Sequence, residues 1–152
     1  MLRRTHVLFG SAVAATAAAT MRLDTLCYAA LLAGSLWGSV APDADLRRRH
    51  RMLLHNVWPP LLLSLGALLL PRGLELLGVL ARLFLLGAAL GWAGHILLDS
   101  LTAAGVALLY PMSRRRVRLA WLRSGGLGDA VVSVVSFIVY VVATARVVGV
   151  AP

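Results

Sequence analysis

The sequence predicts an all-α protein, a bundle of transmembrane helices. Apolar residues make up 60% of its 152 positions and charged residues only 14%, and the mean hydropathy is +0.85. A soluble domain carries about 25% charged residues. Helices are the expected spanning element, because backbone groups that face lipid must find their hydrogen bonds within their own segment. We therefore expect a single membrane-embedded helical domain over residues 1–152.

Five apolar stretches approach the roughly 20 residues that a helix needs to cross a bilayer. The first is short and rich in alanine, the third contains Pro59 and Pro60, and the fourth is interrupted by Arg82. A proline pair kinks a helix or marks its true start. The predicted spans cover about residues 7–20, 23–40, 52–70, 74–101 and 127–148.

The net charge of +9 comes from arginine, since the chain has no lysine. Eleven of the fifteen arginines lie before the first span, between the second and third, or between the fourth and fifth. Because cytoplasmic loops are enriched in basic residues, we expect these segments and the N-terminus in the cytoplasm. The same segments are candidate contacts for anionic lipid head groups. Nucleic acid is not an expected partner, because apolar runs separate the arginines.

The first twenty residues, MLRRTHVLFGSAVAATAAAT, also have the basic start, apolar run and small residues of a signal peptide. Cleavage after the alanines would remove His6. The sequence composition alone does not decide between a cleaved signal peptide and a retained first span.

All four histidines and three of the six acidic residues map near the predicted cytoplasmic face. His95 and Asp99 are about 40° apart around a helix, whereas His50 and His55 are about 140° apart, so His50 converges only from a loop. A carboxylate at bilayer depth costs at least about 2.5 kcal/mol and usually marks function. Imidazoles and carboxylates together bind Zn²⁺, Fe²⁺ or Mn²⁺. The sequence therefore predicts a divalent metal site whose ligands are His6, Asp43, Asp45, His55, His95 and Asp99, with His50 as a further candidate.

Each of these residues also has an interpretation without a metal. A single histidine on an apolar face is usually a hydrogen-bonded core residue, and Asp43 and Asp45 are suited to capping the third span. Asp99 has possible ion-pair partners in Arg51 and Arg115. The metal interpretation is favoured because all four histidines fall on one side.

Four motifs follow one another in a fixed order along the chain. They are TH…G from Thr5, G…PDAD from Gly38, HR…H from His50, and HILLDSLTAAGVALLYP from His95. This order resembles the YdjM-like family of inner-membrane metal-dependent hydrolases, over about residues 5–111. The resemblance implies the same six ligands and, because His6 is one of them, implies that the first span is retained.

The same pattern is similar to that of zinc-dependent phospholipase C and P1-type nucleases, which implies a phosphoester substrate. The tripeptide around His55 differs from the family pattern: the family has Thr-His-Ser, and this chain has Leu54-His55-Asn56. Two hydroxyl groups beside His55 are thereby lost, and Asn56 is the candidate replacement for one hydrogen bond.

The resemblance implies a hydrolase acting on a lipid or amphiphilic phosphoester at the cytoplasmic interface. One or two ions, zinc or else manganese or iron, would activate water, Asp43 or Asp45 would act as general base, and Arg51, with Arg115 or Arg116, would hold the phosphate. The alternative is a non-catalytic accessory or structural subunit of a membrane complex, with a vestigial or stabilising metal site; a homo-oligomer and a membrane complex are both candidate assemblies. A metal or proton transporter is disfavoured, because transport sites lie near the bilayer midplane.

Overall fold

The structure, a computed structural model, describes residues 1–47, 54–71 and 75–150, with only the backbone described for residues 45–47. This part of the chain is helical and contains no β-strand. A 3-10 helix, Ala41–Arg47, follows the second α-helix. The α-helices are α1 (Arg3–Met21), α2 (Thr25–Val40), α3 (Trp58–Leu69), α4 (Glu75–Ser100) and α5 (Leu127–Val147).

Three stretches are long and apolar enough to cross a membrane: Thr25–Ala44, Glu75–Ser100 and Leu127–Val147. Helix α3 has 12 residues and is therefore about 18 Å long, short of the roughly 30 Å hydrocarbon core. It begins at Trp58, with the prolines in its first turn, where their missing N–H needs no partner. Helix α1 is less apolar than the others. The all-helical, multi-span prediction is confirmed, whereas five crossings and a cytoplasmic N-terminus stay predictions.

Helices α2 and α4 pack most extensively against each other, through one GxxxG motif on each helix. A Cβ at Gly38 would collide with the carbonyl oxygen of Ala88, and a Cβ at Gly91 with that of Ser35. Small residues at such positions allow the two backbones to approach closely. The motifs are formed by Gly34 and Gly38 on α2 and by Gly87 and Gly91 on α4.

The contact between α2 and α4 also sets which residues meet at one end of the bundle. The last turn of α2 carries Ser39 and leads into the 3-10 helix with Asp43. The last two turns of α4 carry His95 and Asp99. Because the glycines leave no side chains between the two backbones, these polar groups are brought face to face.

Two further parts of the chain complete the fold. Helix α5 packs chiefly against α1, and most of its valines are exposed, as on a lipid-facing helix. Between α4 and α5 the chain forms an irregular segment, residues 101–126, with isolated bridges Thr102–Leu122 and Val106–Val117. The N–H of Leu119 donates to the carbonyl of Ser100 at 2.8 Å, so this segment lies over the end of α4.

We predict that Gly91→Ala lowers the free energy of unfolding by about 1–3 kcal/mol, the usual cost of overpacking. The matched control is Gly66→Ala on α3, where the nearest atom to an added Cβ is Leu85 Cδ1 at 3.8 Å. That control should be neutral or slightly stabilising, because alanine favours a helix over glycine. Thermal unfolding in detergent, followed by circular dichroism, measures both. Equal stability of the two variants would contradict the close approach of α2 and α4.

Candidate metal centre

Five polar side chains from four segments meet at one end of the bundle. Helix α1 supplies one near its start, the 3-10 helix after α2 supplies one, the loop before α3 supplies one, and α4 supplies two near its end. The alternating direction of successive helices brings these chain ends together. The five residues, which we call the His/Asp cluster, are His6, Asp43, His55, His95 and Asp99.

Asp99 contacts all three histidines of the His/Asp cluster. Its Oδ1 lies 3.2 Å from His6 Nε2. Its Oδ2 lies 3.4 Å from His95 Nε2 and 3.7 Å from His55 Nε2. The α-amino group of Met1 also lies 2.8 Å from Oδ1. The side chain of Asp99 remains 23% exposed, so it is accessible to solvent whereas the imidazoles around it are buried.

Asp43 lies on another side of the same histidines. Its Oδ1 is 3.6 Å from His95 Nε2 and 3.9 Å from His55 Nε2. The rings of His6 and His95 stack with their centroids 3.8 Å apart. The Nε2 atoms of His55 and His95 therefore lie near both carboxylates, and that of His6 lies near Asp99.

These spacings fit a divalent cation. Two ligand atoms bound tetrahedrally to zinc at about 2.0 Å are about 3.3 Å apart, close to the nitrogen–oxygen distances in the cluster. Two triads, His6/His95/Asp99 and Asp43/His55/His95, each have all their ligand atoms within 4.8 Å of one another. His95 Nε2 is buried and has no hydrogen-bond partner among the residues that the structure describes. A cation would satisfy this atom.

The backbone of α2 fixes the tautomer of His95. Its Nδ1 lies 2.8 Å from the carbonyl oxygen of Ser39, and the contact is buried. A carbonyl oxygen only accepts, so Nδ1 must donate its proton. In the neutral ring Nε2 then carries the free lone pair that a metal requires. Such a hydrogen bond on the far nitrogen is the usual support of a metal-bound histidine.

The loop that carries His55 is held by backbone contacts on both sides. The indole N–H of Trp92 donates to the carbonyl of Leu54 at 2.8 Å. The N–H of Val57 donates to the carbonyl of Leu108 at 3.1 Å. The side-chain oxygen of Asn56 accepts the N–H of Trp58, the first residue of α3, at 3.0 Å.

The start of α1, which carries His6, is held by a residue that no sequence pattern marked as part of the site. Asp129, in the first turn of α5, is 1% exposed. It accepts hydrogen bonds from the Thr5 hydroxyl at 2.5 Å and from the Leu2 N–H at 3.2 Å. The GGLGD sequence, Gly125 to Asp129, gave no signal of this role beyond an acid at the start of an apolar span.

The structure thus brings together five of the seven predicted ligand residues. Asp45 belongs to the 3-10 helix, but only its backbone is described. His50, and Arg51 as a predicted phosphate ligand, lie outside the described residues.

A cavity of about 280 Å³ adjoins the His/Asp cluster. Four members of the cluster, all but His95, line it together with Arg116 and Ser124 from the segment between α4 and α5. A guanidinium nitrogen of Arg116 donates to the carbonyl of Ala104 at 3.2 Å. Arg115, the next residue back, is exposed and does not line the cavity. Metal-type ligands and the guanidinium of Arg116 therefore line the same cavity.

The fold and the site define a helical membrane protein with a histidine–aspartate cluster able to hold a metal ion. A family model described as YdjM inner membrane protein matches residues 1–150, so the chain belongs to this family. The resemblance seen in the motifs is confirmed, and the protein is a multi-pass protein of the inner membrane. The match also includes α5, beyond the motifs. No curated protein and no solved structure matches the chain.

We predict that the purified protein binds about one divalent ion per chain, because His95 Nε2 is shared by both triads and one lone pair binds one ion. His95→Ala and Asp99→Asn should each lower the metal content at least several-fold. Asp24→Asn, at the exposed start of α2, is the matched control and should leave it unchanged. Elemental analysis by mass spectrometry measures the content. Metal that persists undiminished in both cluster variants would contradict the site.

Proposed function

We propose that this protein is a metal-dependent hydrolase that acts on a lipid or amphiphilic phosphoester at the cytoplasmic face of the inner membrane. The observation that carries the proposal is one cavity lined by four members of the His/Asp cluster, all but His95, and by Arg116. A metal and a guanidinium are the two groups that phosphoester hydrolysis most often uses to stabilise developing negative charge.

The ligands for the ion would be His6, His55, His95 and Asp99, because the Nε2 atoms of the three histidines lie 3.2 Å, 3.7 Å and 3.4 Å from an oxygen of the Asp99 carboxylate. Zinc is the proposed metal, with manganese and iron(II) as alternatives, because three imidazoles and a carboxylate are a donor set that zinc accepts. When bound, a divalent ion supplies Lewis acidity and lowers the pKa of a bound water toward 7. The three histidines are buried, so the chain itself keeps bulk water from most of the cluster.

Asp43 is the proposed general base. Its carboxylate lines the cavity, is partly exposed, and is farther from the histidine nitrogens than Asp99 is. A carboxylate at the edge of the cluster can take a proton from an attacking water and release it to solvent. Asp45, two residues further along the 3-10 helix, is the alternative carrier of this role.

Arg116 is the proposed phosphate ligand within the described part of the chain. A guanidinium presents a planar set of donors that matches phosphate oxygens. The neighbouring arginines of residues 114–118 lie on the exposed surface, where they would attract anionic lipid head groups. Arg51 is a second proposed phosphate ligand, placed only by the sequence.

A second candidate function follows from the way the cluster is built. Its ligands come from α1, the 3-10 helix, the loop before α3, and α4, so one ion would tie these four segments together. Such an ion would stabilise the fold without any reaction. The protein would then be a non-catalytic subunit of a homo-oligomer or a membrane complex.

We predict that Asp43→Asn lowers turnover by about 10²–10⁴-fold, the usual contribution of a general base, and keeps most of the bound metal. The assay uses zinc-loaded protein, short-chain phospholipids and chromogenic phosphodiesters in mixed micelles. Turnover that is unchanged in Asp43→Asn would refute the assigned base. If wild type shows no turnover on any substrate and a chelator lowers its melting temperature, the non-catalytic function is supported instead.

We predict that Arg116→Gln raises KM for an anionic phosphoester about tenfold or more, because the guanidinium contacts the substrate before and during reaction. Arg115→Gln is the matched control, with the same change of charge one residue away from the cavity lining. Steady-state kinetics on both variants separates a local contact from general surface charge. Equal KM changes in the two variants would show that only the surface potential matters.

A further inference from the structure

Asp129 is a buried carboxylate that joins α5 to the beginning of the chain. Its Oδ1 accepts the Thr5 hydroxyl at 2.5 Å, and its Oδ2 accepts the N–H groups of Leu2 at 3.2 Å and Gly125 at 2.6 Å. A buried charge is strongly unfavourable unless hydrogen bonds satisfy it. Two of these three donors belong to the first five residues. The carboxylate therefore fixes where α1 begins relative to α5.

The held residue, Thr5, directly precedes His6. Side chains of consecutive helical residues point about 100° apart, so α1 can be held at Thr5 while it presents His6 to the His/Asp cluster. The Nε2 atom of His6 then lies 3.2 Å from Asp99 Oδ1, and its ring stacks on His95. The hydrogen bonds to Asp129 thus set the direction in which His6 points.

A metal ligand at His6 tolerates only a small rotation of α1. An atom at the rim of a helix lies about 5–6 Å from the helix axis, so a rotation of about 20° moves it by about 2 Å. This displacement equals the length of a whole zinc–nitrogen bond. Elsewhere α1 packs largely through alanines such as Ala14 and Ala18, and apolar contact is non-directional. The bond from the Ser35 hydroxyl to the Gly10 carbonyl, at 2.9 Å, fixes α1 against α2 one turn further on.

We infer that Asp129 is a positioning residue for the metal centre: it holds Thr5 and Leu2 so that His6 completes the ligand set. Helix α5, which contributes none of the described members of the His/Asp cluster, is then part of the functional site. This inference rests on the metal centre of the proposed function. Asp129 acts through α1 and contacts neither metal nor substrate.

The test measures Co²⁺ binding to the full-length protein in detergent, because the visible absorption of Co²⁺ reports the number and kind of its ligands. Asp129→Asn keeps the size of the side chain but presents amide hydrogens to backbone N–H groups. We expect Co²⁺ to bind about 10–100-fold more weakly, the usual effect of losing outer support. The spectrum at saturation should shift in the same direction as in His6→Ala.

A pair of substitutions at the other end of the contact separates positioning from loss of fold. Thr5→Val removes the hydroxyl at nearly constant shape and should weaken Co²⁺ binding and shift the spectrum. Thr5→Ser keeps the hydroxyl and should match wild type. Ser136→Ala, a buried change about two turns further along α5, is the control and should also match wild type.

Each outcome decides the inference. Wild-type affinity and spectrum in both Asp129→Asn and Thr5→Val would overturn it and leave the metal centre intact. Weaker binding with an unchanged spectrum would also overturn it, because that result reports general destabilisation. If Asp129→Asn has lost helix by circular dichroism, the Thr5 pair decides by the same criteria. No Co²⁺ binding by wild type would refute the metal centre, and the inference with it.

Discussion

A carboxylate placed among apolar helices must be compensated, and the arrangement around Asp99 follows from that requirement. Burial of an unpaired charge costs several kcal/mol or more. Here the α-amino group of Met1 lies 2.8 Å from Asp99 Oδ1, and three imidazoles from three different segments surround the carboxylate and could share a cation with it. Each of those segments must in turn be held in register. The close helix pair, the supported loop and the carboxylate on α5 each hold one of the segments that meet at Asp99.

The sequence predicted the parts of the site that follow a helical period or a motif order. His95 and Asp99 lie four residues apart, so their shared face could be read from the spacing. Antiparallel packing of successive helices is enough to bring His6, Asp43 and His55 to the same end of the bundle. The order of the motifs supported this prediction. The proline pair correctly raised the possibility of a late helix start. The number of crossings depends on how α1 and α3 meet the bilayer, which spacing alone does not determine.

What the sequence did not reveal are contacts whose partners lie far apart in the chain. Both GxxxG motifs are present in the sequence, but only the packed structure shows that they lie at the contact between α2 and α4. The Ser39 contact is made by a backbone carbonyl, so no side chain signals it. Asp129 is separated from Thr5 by 124 positions, and an acid at the start of a helix has a local explanation in the helix dipole. Such contacts join residues that are neighbours only in the folded structure, so the spacing of residues along the sequence does not indicate them.

The irregular segment between α4 and α5 has a different physical character from the helices beneath it. Its bridges are few and isolated, and its arginines are largely exposed, whereas the glycine contacts below leave no room for a single added methyl group. Evolutionary change is therefore unequally tolerated across the molecule. A side chain added at these glycines would displace a helix, whereas the exposed arginines of the segment that do not line the cavity, such as Arg114 and Arg115, can be replaced with little loss of stability. A change of surface charge at these arginines would therefore leave the helix packing and the His/Asp cluster in place.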